Sequence, residues 1–407
     1  MKRIMKNLRF FVTVFTVALT CNFIESIAPK KPWTVLIYIA GDNDLFQFVD
    51  VNLQQMMKVG TNETVNILVY LCKHAPQEQK VAQKIVVNKN NITIVGQDYN
   101  VDSGVAQTVI NACKWAYTEF PSDHVAFIGW DHGSGPLNRL PRGVCYDFTT
   151  GHYLTDIDLK DAFQTVTQQF LGNRKIDIIG WDACLMAAAE LDATLEPYAD
   201  YVVASQQTIP GPGWNYTRAF APFLYKITSP NYLARAWVAA YKQNYSLVTA
   251  DYTLSAVQLS GFNEFANSID IIAAHLIKLL QYQTNRSVSL AIAQSVKSTN
   301  CVSYDDGTYI DLDNFYANLI PLLSNITVSN AFEAQGAVAS LSTALAQGRA
   351  LIKKSVIANV AGRDDAGSAG ISIYFPRSKK IHASYYFLDW TLHHPLWLEF
   401  LKVYFAK

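Results

Sequence analysis

Two segments of this 407-residue chain are near copies, Phe127-Ile-Gly-Trp-Asp-His132-Gly-Ser-Gly135 and Ile178-Ile-Gly-Trp-Asp-Ala-Cys184-Leu-Met186. In each, a short run rich in Val, Ile and Phe closes on Gly-Trp-Asp, which suits a strand buried on both faces of a parallel sheet. Two such strands in one sheet end at the same edge. Ligands of open α/β sheets sit in the crevice outside the carboxyl ends of the strands, where loops present side chains over a rigid floor. His132 and Cys184 are therefore predicted to stand over one crevice.

That pairing carries chemistry. A thiol is mostly protonated near neutral pH, and a neighbouring imidazole or helix N-terminus generates the reactive thiolate. Residues 185–195 are strong helix formers, which predicts that Cys184 opens a helix with the positive end of its dipole beneath the sulfur. The Gly133-Ser-Gly135 turn leaves the backbone bare, so the N–H groups of Gly133 and Cys184 are the candidate oxyanion donors. Taken singly, a cysteine at a strand end reads as a small core residue and a histidine near glycine as a loop residue. Taken together they describe acyl transfer by a nucleophile and a base.

Further segments accompany these two: Trp33-Thr-Val-Leu-Ile-Tyr-Ile-Ala-Gly-Asp-Asn-Asp-Leu45, Tyr153-Leu-Thr155, Ala204-Ser-Gln-Gln-Thr208, Pro210-Gly-Pro-Gly-Trp214 and Gly370-Ile-Ser-Ile-Tyr-Phe-Pro376. In this order, with Asp182-Ala-Cys-Leu-Met186, the chain resembles the clostripain family of cysteine peptidases, relatives of caspases, legumain and gingipains. The resemblance runs from Trp33 to the C-terminus. It implies an α/β fold, a caspase-like three-layer α/β/α sandwich with a mostly parallel central sheet. It also implies that His132 is the catalytic histidine, that Cys184 is the nucleophile, and that the reaction is peptide-bond hydrolysis through a thioester. The papain-type signature around a catalytic cysteine is absent.

The resemblance places Asp182, two positions before the cysteine, in the pocket for the residue preceding the scissile bond. A carboxylate there pairs with a guanidinium or ammonium, so the expected preference is Arg or Lys. The alternative is that Asp182 caps the helix expected after it. Ser205 and Gln206 are the other expected substrate-binding residues. Relatives often carry an acid where this chain has Gln207, which removes one negative charge near the cleft. Asp131 has only a structural claim. Asp42-Asn43-Asp44 raises calcium, but its spacing lacks an EF-hand ligand set and reads as a turn; no metal or cofactor is expected.

Lys2, Arg3, Lys6 and Arg9 precede an apolar run over 10–21, the pattern of a secretory signal over 1–28, with an uncleaved anchor as the alternative. No other segment reaches the roughly 18 uninterrupted apolar residues of a membrane span, so none is expected after signal removal. An extracellular or lysosome-like compartment follows, and six glycosylation sequons (Asn62, Asn91, Asn215, Asn244, Asn285, Asn325) fit it. Without Cys21 five cysteines remain, an odd number that leaves Cys184 as the reactive thiol while the other four pair or are buried. Half the residues are hydrophobic and 33 basic residues balance 33 acidic ones, so a large core is possible and no field favours nucleic acid. The expected partners are protein or peptide substrates.

Strands are predicted over 33–40, 64–72, 124–130, 175–181 and 201–204, with a hairpin over 84–95, giving a catalytic core over 29–230. Residues 231–407 read as a mainly helical subdomain, with helices over 231–243, 262–281, 309–323 and 331–357. A late strand over 370–375 is expected, by resemblance, to return to the sheet. The loop over 136–151 carries Arg139 and Arg142, which offer a self-cleavage site or are simply solvated; the chain is expected as a monomer, either intact or self-processed into two associated chains. Two other functions share these residues: a catalytically silent relative that binds peptides or inhibits active enzymes, and a transpeptidase or ligase whose acyl-enzyme is captured by an amine.

Overall fold

Strand β1 (Lys31–Gly41) shows why the chain must form three layers. Val35, Ile37 and Ile39 face one side, Leu36, Tyr38 and Ala40 the other, and all six are fully buried. A strand buried on both faces needs cover on both sides. A computed structural model of the chain describes residues 28–73, 80–137, 143–281, 285–326 and 331–406. In it β1 is joined by β2 (Val65–Lys73), β3 (Val81–Asn88), β4 (Asn91–Tyr99), β5 (Ser122–Trp130), β6 (Ile176–Asp182), β7 (Ala199–Ala204), β8 (Thr253–Gln258), β9 (Ser303–Tyr304), β10 (Tyr309–Asp311), β11 (Val356–Ala361) and β12 (Ser372–Tyr374).

Nine strands make one sheet in the order β11-β8-β7-β6-β5-β1-β2-β3-β4. The middle five, β2 to β7 through β1, β5 and β6, run parallel, while β3 and β4 at one edge and β8 and β11 at the other are antiparallel additions. Helices Ala106–Glu119, Asp156–Phe170 and Phe262–Gln281 cover the face that includes Tyr38 and Phe127. Helices Val49–Met57, Tyr216–Phe220 and Pro230–Tyr245 cover the other. This is the expected α/β/α sandwich, including the β3–β4 hairpin, whose turn holds Asn90 in the left-handed region at φ 69°.

Three expectations need correction. The region beyond 230, read as mainly helical with one late strand, also supplies β8 and β11 to the large sheet, two strands that reading does not place. The segment around 370–375 does not return to that sheet: β12 pairs with β10, which pairs with β9, in a separate three-stranded sheet. The predicted helix over 309–323 accordingly loses its first residues to β10 and starts at Leu312, where the Asp311 carboxylate accepts the Asn314 N–H as an N-cap.

Cys72, Cys113, Cys145 and Cys301 are buried, and among the described residues no disulfide is formed. Arg139, Arg142, Cys21 and nearly all of the expected signal segment lie outside the described residues. Among the described residues no helix is long and apolar enough to cross a membrane.

Candidate active site

β5 and β6 are parallel neighbours with Gly129 opposite Trp181 and Trp130 opposite Asp182, so the two Gly-Trp-Asp motifs lie side by side, one residue out of register. His132 and Cys184 each follow two residues later and leave the sheet at the same edge. Their loops touch through backbone: a Cβ on Gly133 would lie 2.3 Å from the carbonyl oxygen of Cys184 and 3.0 Å from its nitrogen. Glycine at 133 is what permits this approach. A cavity of about 130 Å³ opens here, lined by His132 and Cys184, by Asp182 below them, and by Leu45, Ile209 and Pro210 at its sides.

The sulfur of half-buried Cys184 accepts the backbone N–H of Ile209 at 3.2 Å. This replaces the expected helix dipole. Leu185 is left-handed, at φ 67°, and the helix that follows is Ala189–Leu195, too late to lie beneath the sulfur. Local propensity over 185–188 is overridden by tertiary hydrogen bonds. The N–H groups of Leu185 and Ala187 donate to the carbonyls of Gln207 (3.2 Å) and Ser205 (2.9 Å), and the Ala187 carbonyl accepts the Ser372 N–H at 2.9 Å. The nucleophile turn is thus stitched to the end of β7 and to β12.

His132 Nε2 lies 2.7 Å from Asp44 Oδ1, and the Phe148 ring stacks over the imidazole with centroids 6.5 Å apart and planes within 9°. An ionised carboxylate can only accept, so Nε2 carries the proton and Nδ1 presents its lone pair. The Asp42-Asn43-Asp44 turn parts in three directions. Asp42 pairs with the Lys80 ammonium at 2.7 Å, which also contacts Asp147; Asn43 Nδ2 donates to Asp131 Oδ1 at 2.6 Å; Asp44 reaches the histidine. Asp131, buried, also accepts the Tyr146 N–H, which fits its structural role.

Asp182 lines the cavity but does not cap a helix. Its carboxylate accepts the Trp214 N–H (2.9 Å) and the Tyr216 hydroxyl (2.9 Å), fastening the Pro210–Trp214 segment beside the sulfur, and burial pushes its pKa up to about 7. Gly213, at φ 67°, lies so close that a Cβ would come within 2.6 Å of this carboxylate.

Ser205 and Gln206, expected at the substrate cleft, are buried and occupied elsewhere. Ser205 Oγ bonds Thr253 Oγ1 (2.9 Å) on β8. Gln206 Nε2 donates to Asp311 Oδ2 (2.9 Å) while its Oε1 accepts the Gly370 N–H (3.0 Å). Ser205 fastens the end of β7 to β8 within the large sheet, Gln206 ties that sheet to β10 of the small one, and neither lines the cavity. Gln207, where the resemblance leads an acid to be expected, donates to Asp365 Oδ1 at 3.3 Å, so a carboxyl group stands beside that position.

Burial also pushes Glu190 to about 7 and Asp156 and Asp311 to about 6, all above the ordinary carboxyl value near 4. With Asp182, these groups hold protons in the folded chain that the unfolded chain releases. Their contribution to stability is therefore complete below about pH 4 and is lost as pH rises through 6 and 7. Thermal denaturation is expected to show a midpoint falling between about pH 5 and pH 8; a midpoint that rises over this interval contradicts the assignment.

A sequence profile of the clostripain family matches residues 37–402. Clostripain from Hathewaya histolytica is 25% identical over 221 residues, which cover 46% of this chain and 41% of that protein, so the match spans about two-fifths of its length. A secreted C11 cysteine protease from Bacteroides thetaiotaomicron, solved in complex with an irreversible peptide inhibitor, has the same fold: TM-score 0.65, 20% identity, 89% of this chain and 98% of that one covered. An inactive zymogen C11 protease from Parabacteroides distasonis matches with a TM-score of 0.63 and 20% identity, covering 90% and 99%.

Proposed function

The chain belongs to the clostripain family, and from that premise we propose that it is a secreted cysteine endopeptidase working through His132 and Cys184. The observation that carries this reading is their arrival from adjacent parallel strands in one cavity, with Gly133 against the backbone of Cys184. His132 Nδ1 takes the thiol proton and the sulfur attacks the peptide carbonyl. The oxyanion that forms meets the N–H groups of Gly133 and Cys184. The imidazolium then protonates the leaving amine, and water hydrolyses the thioester with His132 again acting as base. The Ile209 N–H favours the thiolate, because a hydrogen bond to the charged form lowers its cost. Secretion is supported by the basic and apolar pattern of residues 1–28 and by the secreted relative from Bacteroides thetaiotaomicron.

Asp182 supports cleavage after Arg or Lys. It lies in the cavity beside the nucleophile; Oδ2 accepts both the Trp214 N–H and the Tyr216 hydroxyl, while Oδ1, which meets only the Trp214 N–H at 3.1 Å, keeps a lone pair for a cationic side chain. Reporter peptides ending in Arg, Lys, Asn and Asp test this: the basic pair is expected to be cleaved at least about tenfold faster, and Asp182→Asn to reduce that advantage by about tenfold or more. Because Asp182 titrates near 7 in the free protein, the advantage of the basic pair is expected to grow from about pH 6 to pH 8 as the carboxyl group ionises. Equal cleavage of all four peptides would sink the specificity while leaving the peptidase reading intact.

A further inference from the structure

We infer that Asp44 is a positioning residue for His132, an inference that rests on the proposed role of that histidine. β1 and β5 are parallel neighbours with Ile39 opposite Trp130, so the loop leaving β1 runs beside the loop leaving β5. Two consecutive residues of one loop then pair with two consecutive residues of the other: Asn43 Nδ2 with Asp131 Oδ1 at 2.6 Å, and Asp44 Oδ1 with His132 Nε2 at 2.7 Å. The first pair is buried and anchored, since Asn43 Nδ2 also donates to the Ala40 carbonyl and Asn43 Oδ1 accepts the Leu45 N–H. Asp44 therefore has little backbone freedom, although its own side chain is 64% exposed.

That exposure limits what the pair contributes to folding, because a solvated ion pair is screened. Its effect falls on the histidine. A carboxylate on Nε2 selects the tautomer whose Nδ1 is unprotonated, and it favours the imidazolium that forms when the thiol gives up its proton. The Phe148 ring lies parallel to the imidazole. The carboxyl groups at the cavity are Asp131 and Asp182, and Asp44 is the one that bonds an imidazole nitrogen of His132 among the described residues.

Asp44→Ala and Asp44→Glu in the full chain test this. Asp44→Ala is expected to lower kcat by about tenfold to a hundredfold with KM within about twofold, and an unchanged melting temperature. It is also expected to move the pH midpoint of Cys184 alkylation by iodoacetamide upward, since less imidazolium stabilisation leaves the thiolate to form at higher pH. Asp44→Glu, which restores a carboxylate, is expected to recover part of both. Alkylation reports on the pair even where no peptide substrate is turned over, so a failure of Asp44 is distinguishable from a failure of the peptidase reading. Wild-type kcat and a wild-type alkylation profile in Asp44→Ala would overturn the inference, as would a kcat loss with an unmoved alkylation profile.

Discussion

Cys184→Ala is expected to abolish peptide cleavage, a loss of about 10⁴-fold or more, while leaving the fold in place. On the proposed mechanism alanine removes the atom that forms the thioester, and none of the described side chains at the cavity replaces it. Among the described residues the cavity offers a histidine, carboxyl groups and apolar side chains but no second thiol or hydroxyl nucleophile. The structural cost is small, because the sulfur is half-buried and its partner in the turn is the Ile209 N–H. Leaving that donor unsatisfied costs on the order of 1–2 kcal/mol. His132→Ala is expected to be less severe, at about 10³-fold, since a thiol ionises partly without a base. Cleavage of a reporter peptide by wild type and both variants, with melting curves alongside, checks the order. A Cys184→Ala chain that still cleaves shows the nucleophile to be elsewhere.

Gly133→Ala carries the second largest effect. The new Cβ would lie 2.3 Å from the Cys184 carbonyl oxygen, far inside any real contact, and the obstructing atoms are backbone. Cys184 cannot simply retreat. The turn after it is pinned by the Leu185 and Ala187 N–H bonds to Gln207 and Ser205, so relief requires the β5 and β6 loops to part. A displacement of about 1 Å in a reacting group costs about 10²-fold, and loss of an oxyanion donor costs a similar factor. The expected fall in kcat/KM is therefore about 10²–10³-fold, with a lower melting temperature. Ser134→Ala is the control: Ser134 Oγ bonds the Leu137 carbonyl at 2.7 Å within its own loop, and its loss is expected to leave kcat/KM within about tenfold. Native activity in Gly133→Ala would show that the two loops do not need this contact.

The repeated Gly-Trp-Asp motif made the site legible because strand ends in a parallel sheet are set by the same local signals that are visible in the sequence: apolar runs, closing glycine, closing aspartate. The two strands pair one residue out of step with the motifs, Trp130 opposite Asp182, and His132 and Cys184 each stand two residues beyond that pair. What failed was whatever depends on distant partners. Residues 185–188 have helical propensity, but their backbone bonds go to Ser205, Gln207 and Ser372, which no local window contains. Ser205 and Gln206 stand in a segment that carries the resemblance, yet such a segment does not say whether a side chain faces substrate or bonds β8 and β10, as these two do. Asp44 reaches His132 only because β1 and β5 are neighbours, a fact of topology and not of spacing. The helix expected over 331–357 ends at Ser355, and Val356 and Ile357 open β11, with no glycine or proline to mark the break between them.

The most direct test of the account is the site at which a thiol-reactive peptide probe with a terminal arginine modifies the folded chain, read by mass spectrometry of the intact protein and its fragments. One adduct is expected, on Cys184, with Cys72, Cys113, Cys145 and Cys301 protected by burial. A folded chain that takes no adduct, or takes it at another cysteine, would contradict the assignment of Cys184 as the nucleophile.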